Sequence, residues 1–169
     1  MDSDSRNLLM KKAGAFLARR PYSRADLRKR LASFGDEDQV ESVLQHLERL
    51  NLLNDLDYAY NFALRRIRQQ GWSHAKVQNA LLGHQIRPEI IARALEQVRD
   101  EASGEDSVIL EYVLKRYAKS GLPVDLKGIR KLIMHLRQRG FQEANIFSAL
   151  RGKIPDAALR RFETGEYID

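Results

Sequence analysis

The sequence predicts an all-α protein of tandem three-helix units, about nine to ten helices, in an elongated, curved array. Two observations predict this fold. Nearly every stretch of the 169 residues spaces its apolar side chains as helices do, and strand-like alternation is missing. In addition, residues 67–83 read IRQQGWSHAKVQNALLG and residues 136–152 read LRQRGFQEANIFSALRG. Seven of these 17 positions are identical, where average composition would give about one by chance. The chain therefore contains an internal repeat.

A fainter third copy of this stretch lies near the start of the chain. Residues 17–33 read LARRPYSRADLRKRLAS, with Pro21 in place of the glycine and Tyr22 as the aromatic residue. In each copy a glycine or proline ends one helix, an aromatic residue follows, and a polar residue starts the next helix. Tyr22, Trp72 and Phe141 are therefore predicted to pack at buried corners, although stacking on a ligand remains an alternative.

The first repeat begins with a helix over about residues 5–19, which ends before Pro21. Ser23 is placed to cap the second helix through its hydroxyl group, and that helix ends near Gly35. The acids at 36–38 suit the positive end of the third helix dipole. The third helix should bury one apolar stripe, made of Val40, Val43, Leu44, Leu47 and Leu50.

The second repeat begins with a helix that Asn54 or Asp55 caps and Gly71 ends. Ser73 caps the next helix, and Gly83 is expected to end it.

Pro88 suits the first turn of the last helix in this repeat, because a proline lacks the N–H that a first turn leaves unbonded. An acidic connector, RDEASGED, follows that helix. Four helices are predicted beyond this connector, over about residues 106–119, 125–139, 142–151 and 155–162. The last unit would therefore contain one helix more than the three-helix pattern. The predicted division of the chain is 5–52, 53–101 and 104–162, with a tail at 163–169.

The positive charge of the chain is concentrated in one region. The net charge is +6, yet residues 115–161 alone carry 12 Lys or Arg and three acids, which leaves the remainder at −3. Such a region attracts a polyanion or an acidic protein surface. A solvated basic face without a partner is the alternative.

Four residues of the predicted helix at 125–139 define the main candidate binding stripe. Lys127, Lys131, His135 and Arg139 recur every four residues, so they share one helix face. Two smaller pairs of cations are further candidates, namely Arg24 with Arg28 and Arg65 with Arg68.

Arg66 differs from these cations because the helical wheel places it on a face that should be buried. A buried arginine needs an acceptor, so we expect an ion pair with an acid from another helix in preference to a binding role.

The sequence offers no chemistry that would make an enzyme. The chain has no cysteine, so thiol catalysis and zinc–thiolate sites are excluded. Its four histidines lack metal-ligand spacing, and no glycine-rich phosphate loop is present. We expect no catalytic residue, no metal and no cofactor. We also expect a cytoplasmic protein, because the sequence has no run of 18 apolar residues and no signal-peptide core.

Three stretches in order carry a resemblance to a known family. Residues 52–72 read LLNDLDYAYNFALRRIRQQGW, and residues 77–86 read VQNALLGHQI. Together with YSRADLRKRL at 22–31 and KGIRKLIMHLRQRGF at 127–141, they resemble the RecX family of bacterial regulatory proteins. The matching positions are Leu53, Asp55, Tyr58, Ala59, Phe62, Arg66, Gly71, Val77, Leu81, Gly83 and Ile86. Asn54 departs from the family pattern, because a second acid is common there.

The resemblance implies a non-enzymatic protein that acts in homologous recombination, DNA repair and the SOS response. It would lie as a monomer in the groove of the RecA–DNA filament and modulate the ATPase, strand-exchange and coprotease activities of RecA, with inhibition as the expected direction. The implied partners are the RecA filament and single-stranded DNA, with duplex DNA as a further candidate. A stand-alone DNA-binding regulator of helix-turn-helix type stays open, because short helices with tight turns are typical of that class as well.

Overall fold

The chain folds into α-helices throughout the part that the structure describes. A computed structural model describes residues 3–102 and 106–164. Within these ranges it contains ten helices and no strand, which confirms the predicted all-α class. The helices are α1 (Ser3–Leu17), α2 (Arg24–Leu31), α3 (Glu37–Arg49), α4 (Asp55–Gln70), α5 (His74–Gly83), α6 (Pro88–Ala102), α7 (Asp106–Ala118), α8 (Leu126–Gln138), α9 (Glu143–Leu150) and α10 (Asp156–Glu163).

Contacts between residues divide the chain into two compact units. Compact unit 1 consists of Met1–Ala63 with Gln78–Gln97, and compact unit 2 consists of Leu64–Val77 with Val98–Asp169. The predicted division into three-helix repeats, and the predicted curved array, stay predictions. Across the described ranges, no helix is both long enough and apolar enough to cross a membrane.

Polar side chains start the helices as the sequence predicts. The Ser23 hydroxyl accepts the Asp26 N–H at the start of α2, and the Asp36 carboxylate accepts the Gln39 N–H at the start of α3. At α4 the cap is Asn54, whose side-chain oxygen accepts the N–H groups of residues 56 and 57. Each bond satisfies a backbone donor that the first helical turn leaves without a partner.

Glycines in the left-handed region follow two of the repeated helices. Gly71 has φ +60° and Gly140 has φ +87°, a conformation that side chains with a Cβ rarely adopt. Helix α5 ends at Gly83, as the sequence predicts, and the left-handed residue that follows it is Gln85, with φ 56°.

The predicted apolar stripe of α3 is buried except at its last member. Val40, Val43, Leu44 and Leu47 are at most 2% exposed, whereas Leu50 is 53% exposed. Leu50 lies beyond the helix, at its C-cap with ψ near 0°, so it no longer follows the helical spacing that would turn it inward. The prediction for Leu50 is therefore wrong.

The three repeated aromatic residues pack to different extents. Tyr22 and Phe141 are buried, at 8% and 4% exposure. Trp72 is half-buried. The cationic groups of Arg66 and Lys76 lie over its ring.

A buried serine connects distant backbone in each compact unit. Ser23 and Ser73 are fully buried, and they are the buried polar residues of the described chain. In compact unit 1 the Ser23 hydroxyl donates to the His84 carbonyl at 3.0 Å, and in compact unit 2 the Ser73 hydroxyl donates to the Gly140 carbonyl at 2.8 Å. Each hydroxyl also accepts a helix N–H, so both of its roles are used.

Replacing either serine with alanine should destabilise the fold. Ser23→Ala and Ser73→Ala each remove a helix cap and leave a carbonyl without its donor, which should lower the free energy of unfolding by about 1–3 kcal/mol. Urea denaturation followed by circular dichroism measures the change. Ser33→Ala, at an exposed serine, is the matched control and should change stability little. Equal stabilities for all three variants would contradict the role of the buried hydroxyls.

Candidate nucleic-acid interface

Helix α8 presents an apolar face to the core and a basic face to solvent. It begins after Asp125, whose carboxylate accepts the Gly128 N–H. Lys127 and Lys131 are exposed, as the predicted stripe requires. The opposite face is buried, at 3% exposure or less for Ile129, Leu132, Ile133 and Leu136.

The other half of the predicted stripe is half-buried. Arg139 donates from Nε to the Gln70 carbonyl at 2.9 Å, which fixes its guanidinium group against the end of α4. The edge of the His135 ring meets the Tyr117 ring, with centroids 5.3 Å apart and planes at 73°. The structure thus separates two exposed cations, Lys127 and Lys131, from two half-buried side chains, His135 and Arg139, that neighbouring residues hold in place.

A third side chain, the cationic Lys76, lies beside His135 and Arg139. It occupies the first turn of α5, which the bond between Ser73 and Gly140 ties to the end of α8. Its ammonium group donates to the Gln138 carbonyl and lies 4.3 Å from the centre of the Trp72 ring. A cation over an aromatic face is attracted by the ring quadrupole.

The fit between α5 and the end of α8 requires a glycine at position 140. A Cβ on Gly140 would stand 2.6 Å from both Ser73 Oγ and Lys76 Cβ, which is closer than atoms pack. The absent side chain is therefore what allows the Ser73 hydroxyl to reach the Gly140 carbonyl.

Arg66 completes the arrangement around Trp72. Its guanidinium group lies 4.7 Å from the centre of the Trp72 ring, and Nη1 donates to Gln70 Oε1 at 2.7 Å. This acceptor is a neutral side chain of the same helix. The predicted ion pair with an acid of another helix stays a prediction.

We call Arg66, Lys76, Arg116, His135 and Arg139 the cationic cluster. Burial, with the charges of Arg139 and Arg66, lowers the pKa of Lys76. Burial, with Arg139 and Lys76, lowers the pKa of His135. Burial lowers the pKa of Arg139, Tyr117 opposes this effect, and the Arg116 charge lowers the pKa further. The charged neighbours that act on these three pKa values are cations, apart from the Tyr117 phenol.

One ring nitrogen of this cluster lacks a partner. His135 Nε2 is buried and makes no hydrogen bond to any described residue. A buried polar atom without a partner costs free energy, and an incoming acceptor or donor would recover that cost.

The predicted pair Arg24 and Arg28 in compact unit 1 is placed differently. Arg24 pairs with Glu41 and, from Nε to Oε1 at 2.9 Å, with Glu48. Arg28 pairs with Glu37. Both cations are held in internal ion pairs, and their role in binding stays a prediction.

Arg65 and Arg68 are both exposed on the second half of α4. Neither lies among the residues that form the cationic cluster. Their role in binding also stays a prediction.

Sequence reasoning missed Lys76, Arg116 and Tyr117 as members of the site. The signal for Lys76 was present in the repeat, because Lys76 occupies the position that Asp26 holds in the first copy. Asp26 contacts His84 Nδ1 at 2.7 Å, and Lys76 contacts the Gln138 carbonyl. In each compact unit this position therefore lies near the segment whose carbonyl accepts from the buried serine. No comparable local pattern identifies Arg116 and Tyr117, which reach the cluster only through tertiary packing.

Potential metal ligands are not clustered in the described part of the chain. No three His, Asp or Glu side chains of the described residues are grouped closely enough to hold a metal ion. The cationic cluster is a concentration of positive charge, which attracts anions.

Comparison with known proteins gives consistent matches. The chain is 33% identical over 155 residues to the regulatory protein RecX of Prosthecochloris aestuarii, covering 88% of this chain and 95% of that protein. It is 32% identical over 136 residues to the regulatory protein RecX of Corynebacterium efficiens, covering 78% of this chain and 64% of that protein. Its fold is similar to the crystal structure of RecX from Lactobacillus salivarius, with a TM-score of 0.67 and 21% sequence identity. The match covers 88% of this chain and 96% of that chain. No family profile matches the chain.

The position of His135 predicts a pH dependence of stability. A lowered pKa in the folded state means that the unfolded chain binds the proton more readily, so stability rises with pH. The contribution is complete above the ordinary histidine pKa of about 6.5 and is lost as the pH falls through that value towards the lower folded pKa. Urea denaturation between pH 8 and pH 5 should show a smaller loss for His135→Gln than for the wild type. Identical pH profiles would contradict the burial of an unprotonated ring.

Proposed function

The chain belongs to the RecX family of regulatory proteins, and we propose that it binds the groove of the RecA–DNA filament and modulates RecA. The modulation is inhibition of DNA-dependent ATP hydrolysis, strand exchange and coprotease activity. It places the protein in homologous recombination, DNA repair and the SOS response, in the cytoplasm with RecA. Its relatives over most of its length are named as regulatory proteins, and regulation by binding requires neither a cofactor nor a catalytic residue.

The observation that carries the proposal is the net positive charge of compact unit 2. Residues 115–161 carry a net charge of +9. Two members of the cationic cluster, His135 and Arg139, follow the exposed lysines at 127 and 131 at four-residue spacing along α8 and its C-cap. DNA is the densest anion in the filament, and each phosphate that a protein cation neutralises releases a counterion. We therefore assign DNA contact to Lys127, Lys131, His135 and Arg139.

Contact with the protein part of the filament would use other surfaces. The internal ion pairs of Arg24 and Arg28 make compact unit 1 a weaker candidate for DNA and a better one for RecA protomers. Arg65 and Arg68, exposed on α4, remain candidates for either. We propose that the chain acts as a monomer, with single-stranded DNA as the main nucleic acid and duplex DNA as a secondary one.

The rival function is a stand-alone DNA-binding regulator of helix-turn-helix type. Such a regulator reads base edges with one helix in the major groove and binds duplex DNA without RecA. The cationic cluster favours the filament, because His135 and Arg139 are half-buried, whereas a recognition helix presents exposed side chains to base edges in the major groove.

Addition of the chain to RecA should lower RecA's rate of ATP hydrolysis on single-stranded DNA. The reason is that a protein bound in the filament groove biases RecA towards conformations that hydrolyse ATP poorly. Hydrolysis and strand exchange should both fall as the chain is titrated. Unchanged rates at a several-fold excess over RecA, together with sequence-selective duplex binding by the chain alone, would favour the rival.

Replacing the two exposed lysines of α8 should weaken DNA binding and its salt dependence. The double variant Lys127→Gln, Lys131→Gln should lower the slope of log K against log salt by roughly 1.4–1.8 if each lysine contacts one phosphate, and equally for all DNA sequences. Fluorescence anisotropy with a labelled oligonucleotide measures this slope. The control is Lys11→Gln, Arg30→Gln, which removes the same charge from two exposed positions of compact unit 1. Equal slopes for the two double variants would assign the α8 lysines to a solvated face.

A further inference from the structure

Compact unit 2 contains a cavity beside the end of α8. It has a volume of about 320 Å³ and lies where the end of α4 meets α7 and α8. Arg116, Tyr117, His135 and Arg139 line it, together with neutral residues. Among the residues that the structure describes, no Asp or Glu lines this cavity.

We propose that this cavity binds one backbone phosphate of single-stranded DNA, with Arg116, His135 and Arg139 as the hydrogen-bond donors. The proposal rests on the DNA contact in the proposed function and names the group that receives the phosphate. It assigns the exposed lysines of α8 to neighbouring phosphates along the same strand.

The geometry of the donors supports a built site. The bond from Arg139 Nε to the Gln70 carbonyl orients the guanidinium group, and its two terminal nitrogens have no acceptor among the described residues. His135 Nε2 is the buried nitrogen without a partner. Arg116 is exposed at the edge of the cavity. Three side chains on two helices thus converge with unused donors.

A phosphate fits this set of donors better than a carboxylate does. A carboxylate is planar and pairs best with one arginine through two parallel bonds. Here Arg139 Nε already donates to a backbone carbonyl, and the other two donors, Arg116 and His135, belong to separate side chains. A tetrahedral phosphate presents oxygens in several directions, so it can accept from all three.

Binding of a phosphate should be coupled to protonation of His135. The groups facing this ring are Lys76 from α5, Tyr117 with Arg116 from α7, and Arg139 from its own helix α8. Burial and the charges of Arg139 and Lys76 lower its pKa in the free protein. An anion in the cavity offsets these charges and accepts a hydrogen bond from the protonated ring. The pKa of His135 therefore rises when the cavity is filled, and binding tightens as the pH is lowered.

The test uses the full chain without RecA. The ring signals of His135 are identified by NMR from their loss in His135→Gln and are titrated with pH. Three additions are compared, namely a twelve-residue oligothymidylate, inorganic phosphate, and a peptide of glutamates. The oligothymidylate should raise the pKa of His135, and inorganic phosphate should do so at higher concentration. The peptide should have little effect.

A pair of charge-matched variants tests the edge of the cavity. Lys115 and Arg116 are adjacent and exposed on α7, but only Arg116 lines the cavity. Arg116→Gln should weaken oligothymidylate binding roughly three- to tenfold, the loss expected for one charge-assisted bond to phosphate. Lys115→Gln should weaken it less. Amide NMR spectra check that both variants keep the fold.

Each other outcome overturns the proposal. An unchanged pKa of His135 with all additions would show that the cavity holds no anion. A rise with the glutamate peptide and not with the oligothymidylate would assign the site to an acidic protein partner. A rise with inorganic phosphate alone would assign it to free phosphate. None of these results depends on RecA, so the inference can fail while inhibition of RecA is still observed.

Discussion

One type of hydrogen bond, made by a buried serine, organises each compact unit. The hydroxyl of Ser23 or Ser73 caps the helix that follows it and reaches a backbone carbonyl 61 or 67 residues away. Because the hydroxyl is fully buried, neither water nor another side chain can replace it without cost. The serine therefore fixes where a helix starts and which distant loop lies against that start. In compact unit 2 it also sets Lys76 beside the end of α8, so the cationic cluster depends on it.

The same framework carries opposite charge in the two compact units. The residue three positions after the serine is Asp26 in one copy and Lys76 in the other. Asp26 contacts His84, and the nearby arginines Arg24 and Arg28 pair with glutamates. Lys76 instead lies near further cations, and burial together with the charges of Arg139 and Arg66 lowers its pKa. A repeat with one stable geometry can thus hold paired charges in one place and a concentration of cations in another.

Local signals predicted most of the fold, since caps and breakers act within a few residues. The starts set by Ser23 and Ser73 and the stop at Gly71 all follow the sequence. The prediction failed at Leu50, because this residue lies at the C-cap of α3 and no longer follows the helical spacing that buries the rest of the stripe. For the site, helical spacing predicted that His135 and Arg139 share a face with the lysines of α8. It could not predict their partial burial or the approach of Arg116 and Tyr117, which arise from packing between helices far apart in sequence.

The central claim is that the basic face of α8 contacts DNA inside the RecA filament. A photoreactive amino acid at position 131 tests it most directly, with the same group at the exposed Gln45 of α3 as the control. After irradiation on preformed RecA filaments, position 131 should crosslink to the DNA strand and position 45 should not. Crosslinks from position 131 to RecA alone, or equal DNA crosslinking from both positions, would contradict the account.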